Sequence, residues 1–203
     1  MYLEGEIILL YSFFALISRM KNISRWSLMR NNEYENVQEH SHQVAVIAHG
    51  LAVIRRDVYG KDSDPGKVAV AALFHDASEI LTGDMPTPIK YFSPDIMAAY
   101  KRVESLAANK LISTLPPEMR QSYMPLLSIV DDDVRPLVKA ADALAAYIKC
   151  LEELKAGNLE FRLAAKQTRK KLASFQMPEV EFFMENFIPA FKLTLDELDL
   201  NLE

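Results

Sequence analysis

The chain has 203 residues, half of them hydrophobic, one cysteine and a formal charge of −5. That length allows one domain with a substantial core and little room for a second, so residues 1–203 are read as a single unit. The acidic balance argues against a nucleic-acid polymer as partner, because such binding depends on clustered Lys and Arg. Cys150 stands alone, which excludes an intramolecular disulfide and fits a reducing compartment, and its apolar helical neighbours read as those of an inert core thiol.

Residues 7–17 are almost entirely apolar, yet too few for a membrane-spanning helix, which needs about 20 residues. Glu4 and Glu6 stand where a secretory signal would carry positive charge. The segment is expected to be the first core helix of a cytoplasmic protein with no membrane partner. From there, apolar residues recur at intervals of three and four, glycine is scarce, and strict alternation is nowhere sustained, so the fold class is all-α.

Asn36-Val37-Gln38-Glu39 has the form of a capping box and starts a helix with His40 in its first turn, followed on the same face by Val44, Ile47 and Leu51. A second helix begins near Pro65 and runs through Val68, Ala72, His75 and Glu79. Gly83, Pro86 and Pro88 then impose a loop over residues 81–90. Further helices are expected over residues 94–113 and from Pro117 to about residue 130. The acidic cluster 131–133 should cap a long helix reaching Ala156, which ends at Gly157-Asn158. Helices over residues 159–175 and 179–187 precede an acidic tail, and no repeat or linker divides the chain.

His40, the adjacent pair His75-Asp76, and Asp142 are each set in a segment that otherwise reads as core, where such groups are costly to bury without a cation or another partner. Two imidazoles and two carboxylates suit a divalent cation that keeps positions open for water and substrate. Without thiolate, Mn, Co, Fe, Zn and Ni all remain open. Adjacent residues on a helix point about 100° apart, so His75 and Asp76 share a cation only at a helix end or distortion, for which the segment after Glu79 is available. Each residue has an ordinary alternative, a hydrogen-bonded core histidine or a salt-bridged aspartate, although Asp142 has only Lys139 nearby in sequence as a cationic partner. His42 and His49 fall on a different face from His40 and are read as structural or exposed.

The order of motifs resembles the HD superfamily of metal-dependent phosphohydrolases, and within it the bacterial 5'-deoxynucleotidases. The resemblance begins around Phe13 and is carried by Arg25-Trp26, Leu28-Met29-Arg30, Glu35-Asn36-Val37 and Glu39-His40-Ser41. It continues through His75-Asp76-Ala77-Ser78-Glu79, Leu81-Thr82-Gly83-Asp84, Pro86-Thr87-Pro88 and Lys90-Tyr91-Phe92. It ends with Ala141-Asp142-Ala143-Leu144 and Lys149-Cys150-Leu151-Glu152-Glu153-Leu154.

The resemblance implies an HD-domain helical bundle around a central metal site, with one divalent transition-metal ion per subunit, cobalt, manganese or similar. It implies hydrolysis of deoxyribonucleoside 5'-monophosphates, broad for the base and selective against ribonucleotides, by a homodimer. His40, His75, Asp76 and Asp142 match the metal ligands. Arg25 matches the residue that orients the phosphate, a task suited to a planar guanidinium, and Trp26 the wall beside the sugar. Asp84, Met85, Pro86 and Thr87 match the substrate loop, and His40, Asp76 and Asp142 also border the substrate. Glu79 and Asp84 are the candidates for proton transfer, with the division of acid and base left open. Ser41 and Ser78 are read as supporting or capping groups.

Residues 1–12 form a longer, more apolar lead than the family pattern, and Ser27 stands where a proline is common. A triphosphate, cyclic dinucleotide or alarmone would demand more basic residues than Arg25, Arg30 and Lys90. A non-catalytic binding module would be expected to lack a ligand or Glu79, and this chain has them all.

Overall fold

Helices account for the fold because the apolar stripes leave no other way to bury their faces. The computed structural model of the chain describes residues 10–90 and 92–198. Its α-helices are α1 (Phe13–Ile17), α2 (Val37–Val53), α3 (Pro65–Leu73), α4 (Glu79–Thr82) and α5 (Thr87–Lys90). They continue with α6 (Pro94–Ser113), α7 (Pro117–Leu127), α8 (Val134–Lys155), α9 (Arg162–Ser174) and α10 (Pro178–Asn186). Among the described residues the only β pairing is an antiparallel bridge between Ser24 and Asn36. No described helix is long and apolar enough to cross a membrane. The all-α expectation holds.

The start of α2 follows the sequence closely: Asn36 Oδ1 accepts the Glu39 N–H at 3.0 Å while Glu39 Oε2 accepts the Asn36 N–H at 3.2 Å. This fixes His40 in the first turn on the buried face with Val44, Ile47 and Leu51. Helix α3 is capped by Asp64 and carries Pro65 at its start. Helix α8 is the central post; its N-terminal donors are met by Asp131 Oδ1, which accepts the N–H groups of Asp133 and Val134.

Two apolar clusters hold these elements. The larger joins α2, α3 and α8 through residues such as Val44, Leu51, Val68, Leu137, Leu144 and Ile148. Full burial of each Leu or Val stabilises by about 1.5–3 kcal/mol, and Leu144→Ala would cost about 2–5 kcal/mol. The smaller contains Phe13, Met20, Val37, Ala77, Leu111 and Leu115, with Phe74 and Ile80 against it. Phe74 and Ala77 flank His75-Asp76, so this cluster anchors the segment between α3 and α4.

Three expectations change. The second helix does not run unbroken to Glu79: α3 ends at Leu73, and Phe74, with φ −108° and ψ 1°, begins a tight turn. There N–H groups bond three residues back, Phe74 to Ala71 at 3.3 Å and Ala77 to Phe74 at 3.0 Å. The distortion that lets His75 and Asp76 converge therefore precedes Glu79 and does not follow it. The 81–90 segment is less open than expected, because α4 reaches Thr82 and α5 forms one turn from Thr87. The first helix is short, since residues 10–12 are outside α1. The expectations for residues 7–9, Tyr91 and the tail beyond residue 198 lie outside the described residues.

Candidate active site and metal centre

The turn after α3, the first turn of α2 and the middle of α8 meet at one point. His40 Nε2 lies 3.2 Å from Asp142 Oδ1 and 3.7 Å from Asp76 Oδ2, and His75 Nε2 lies 3.1 Å from the same Asp76 oxygen. His40, His75 and Asp76 each offer one ligand atom, all within 4.8 Å of one another, while Asp142 closes the group from the His40 side. Asp142 also has a cationic neighbour that its sequence surroundings hid: Lys171, on α9, reaches to 4.0 Å of its Oδ2.

The two histidines are arranged as ligands are. His75 Nδ1 donates to the Ala72 carbonyl at 2.7 Å, so Nε2 is the nitrogen left with a lone pair. That Nε2 is buried without a hydrogen-bond partner. His40 is fully buried and turns Nδ1 toward Glu35 Oε1 at 3.4 Å, leaving Nε2 facing the carboxylates. An unpartnered His75 Nε2 beside Asp76, with His40 Nε2 facing Asp76 and Asp142, is a donor set that suits a divalent cation.

Charge crowds this point. Burial and the Arg25 charge oppose protonation of His40, but hydrogen bonds to Asp142 and Glu35 outweigh both and push it up to about 9. Burial raises Asp76, yet His75, His40 and Arg25 bring it down to about 2. Asp142, also opposed by burial, is held well below the carboxylate range, chiefly by His40. Glu79 behaves in the opposite way: burial, then repulsion from Asp76 and Asp84, push it up to about 9. Its Oε2 is buried without a partner. Asp84 is also raised, mainly by burial, against the pull of Arg25.

Arg25 is the cation of the cluster. Its Nη1 is 3.4 Å from Asp76 Oδ2 and its Nε 3.3 Å from Glu35 Oε2. Next to it, Trp26 takes a left-handed backbone with φ +55°, which is strained for a bulky residue. Its indole N–H donates to Glu35 Oε2 at 2.9 Å and its ring meets Phe161 at 5.3 Å between centroids. Met85 and Pro86 are half-buried after Gly83, and Thr87 is exposed at the start of α5. A cavity of about 540 Å³ reaches His75, Asp76 and Ser78 from the side of α6. A larger one, about 710 Å³, lies under residues 32–33 and touches none of the residues expected in the site.

The structure thus brings His40, His75, Asp76, Asp142 and Arg25 together, with Trp26 beside Arg25 and the carboxyls of Glu79 and Asp84 close enough to perturb the others. His42 and His49 are exposed, as expected. Ser41 is buried with its hydroxyl unpartnered, and the Ser78 side chain does not cap α4. Sequence reasoning missed Glu35, whose carboxylate meets three of these residues, and gave no role to the buried pair Lys149–Glu153. The signal for Glu35 was its place in a motif five residues before His40, just ahead of α2.

A model of the family described as 5'-deoxynucleotidase YfbR-like matches residues 12–191. The chain belongs to the YfbR-like family. A 5'-deoxynucleotidase from Pectobacterium atrosepticum is 52% identical over 188 residues, covering 92% of this chain and 94% of the relative. One from Cronobacter sakazakii is 50% identical with the same coverage. Among solved structures, this YfbR-like chain is similar to an HD-domain phosphohydrolase from Listeria innocua, with TM-score 0.76 and 23% identity over 89% of this chain and 88% of that one. It is also similar to a cyanophage S-2L HD phosphohydrolase bound to dA and one catalytic Zn2+ ion, with TM-score 0.59 and 21% identity over 92% and 99% of the two chains. At those identities the two structures establish the HD fold for this chain.

Proposed function

We propose that this protein is a metal-dependent 5'-deoxynucleotidase that hydrolyses deoxyribonucleoside 5'-monophosphates to deoxynucleoside and phosphate. The observation that carries the reading is the unpartnered His75 Nε2 facing Asp76 and His40 beside a half-buried Arg25, in a chain of the YfbR-like family. His40, His75, Asp76 and Asp142 would hold one divalent transition-metal ion, cobalt, manganese or similar, which nitrogen and oxygen donors accommodate. When bound, such an ion stabilises phosphoryl charge and makes a nearby water more acidic.

The remaining chemistry belongs to side chains. Arg25 orients the phosphate through its guanidinium, which is already aligned by Glu35 and Asp76. A water oxygen attacks phosphorus and gives its proton to Asp84, whose raised pKa makes it a stronger base than a surface aspartate. As the bond from phosphorus to the 5'-oxygen breaks, Glu79 donates its proton to that oxygen. Trp26, beside Arg25 and held by Glu35, is positioned to wall the sugar side of the site, which supports exclusion of a 2'-hydroxyl. Met85 and Pro86 offer the base apolar contact without hydrogen-bond readout, which supports breadth.

We read residues 1–203 as one domain acting on free nucleotides in the cytoplasm as a homodimer. The net charge of −5 and exposed apolar side chains such as Leu73 and Leu106 support that reading. The test is phosphate release by metal-stripped protein resupplied with Mn or Co, comparing dAMP, AMP and dGTP, with His75→Ala as control. Release from dAMP far above AMP, lost in the control, supports the proposal; equal release removes the sugar gate, and release of triphosphate from dGTP overturns it.

A further inference from the structure

We infer that Glu35 is a positioning residue that aligns Arg25, Trp26 and His40 through one carboxylate. The labels of phosphate, sugar and cation for those three partners rest on the function proposed above. Glu35 Oε2 accepts the Trp26 indole N–H at 2.9 Å and the Arg25 Nε–H at 3.3 Å, while Oε1 faces His40 Nδ1 at 3.4 Å. The side chain is 10% exposed, so water does not replace these donors freely.

The backbone repeats the connection. The Arg25 N–H donates to the Glu35 carbonyl at 2.9 Å and the Val37 N–H to the Ile23 carbonyl at 3.0 Å, around the Ser24–Asn36 bridge. The segment before Glu35 is clamped to the end of α8. Glu153 accepts the N–H groups of Asn32, at 3.0 Å, and Glu33, at 3.2 Å. Lys149 Nζ donates to the Glu33 carbonyl at 2.5 Å and to Glu153 at 2.6 Å. A carboxylate held on both sides by fixed backbone is placed to orient its partners and not to follow them.

Each partner gains something particular. A carboxylate 3.4 Å from His40 Nδ1 favours a proton on that nitrogen, which would leave the Nε2 lone pair for a cation. Trp26 is kept in its left-handed conformation with the indole tethered. Arg25 is held at Nε by Glu35 and at Nη1 by Asp76, which fixes the plane of its guanidinium for a phosphate.

The test is Glu35→Gln, in which an amide nitrogen replaces one acceptor and meets a donor it cannot satisfy. Three quantities are measured: Mn2+ affinity of the metal-stripped protein by calorimetry, emission of Trp26, the only tryptophan, without metal, and kcat and KM for dAMP and AMP. The expected result is an Mn2+ affinity about 10–100-fold lower, a shifted and more quencher-accessible Trp26 emission, and a smaller preference for dAMP with a raised KM. Glu35→Asp, which keeps the charge but shortens the reach, should move the same readouts in the same direction if the Gln variant fails to fold. A folded variant with wild-type Mn2+ affinity, emission and dAMP preference, altered only in melting temperature, overturns the inference. Wild-type protein that releases nothing from dAMP would defeat the proposed function alone, since Mn2+ affinity and Trp26 emission still decide the role of Glu35.

Discussion

The Nδ1 atom of His75 sits 2.7 Å from the carbonyl oxygen of Ala72, and this one bond decides which side of the ring looks into the site. The helix has ended by Phe74, so the Ala72 carbonyl accepts the His75 backbone N–H at 3.4 Å and the imidazole N–H as well. Chelation should abolish phosphate release, and Mn2+ should restore it. His75→Ala should bind Mn2+ too weakly to be rescued at concentrations that saturate the wild type, as read by calorimetry beside the activity assay.

Glu79 gives a pH-dependent stability with a definite sign. Its folded pKa is raised to about 9 in the metal-free protein, above the ordinary carboxylate value, so the folded state holds a proton that the unfolded chain has released. Stability from this group is fully present below the ordinary carboxylate pKa and declines as pH rises toward 9. Metal-free Glu79→Gln should therefore melt higher than wild type at pH 8, by roughly 2–4 °C for each kcal/mol relieved. The same substitution should lower kcat by about 10²–10⁴-fold. A variant that melts lower while keeping full kcat would contradict both assignments.

Arg25→Lys keeps the charge and loses the fork. Lysine cannot donate to Glu35 and Asp76 while also presenting two parallel N–H groups to a phosphate. A lost charge-assisted bond is worth about 1.5–3 kcal/mol, so kcat/KM for dAMP should fall by about 10–100-fold. Steady-state kinetics with unchanged circular dichroism is the check.

The buried pair Lys149–Glu153 makes a stability prediction away from the chemistry. Burial opposes ionisation of Glu153, but Lys149, Asn158 and the N–H groups of Asn32 and Glu33 bring it down to about 2. Its folded pKa is depressed, so its contribution is present above the ordinary carboxylate value and is lost as pH falls toward 2. Glu153→Ala leaves a buried lysine unpaired and should destabilise by about 3–5 kcal/mol, measured by urea denaturation at pH 7. The difference from wild type should shrink in acid.

Those residues also mark what could be read from the chain alone. The Asn36 to Glu39 box placed His40, because capping is local chemistry with a fixed spacing. Asp142 stood out as a carboxylate in the apolar run of α8, and the resemblance to the family gave it a role. The break at Phe74 was hidden because the 3.6-residue periodicity continues through His75 and Glu79; the turn is imposed by Phe74 and Ala77 entering a second core, which is tertiary packing. Glu35 belongs to no helix, and its three partners converge only once residues 23–26 pair with residues 35–37. Lys149 and Glu153 carried no signal beyond their four-residue spacing on a helix, because the loop from Arg30 to Glu33 that buries them is placed by tertiary contacts.

Helix α8 carries Asp142 into the metal centre and, seven residues on, Lys149 into the clamp that steadies the chain before Glu35. Seven residues bring a helix back to within about 20° of its starting direction. The rod therefore acts as a spacer whose register matters as much as its packing. One residue inserted between them would leave every functional group intact and turn one end from the other by about 100°, so this helix should accept substitutions on its exposed face and almost no change of length.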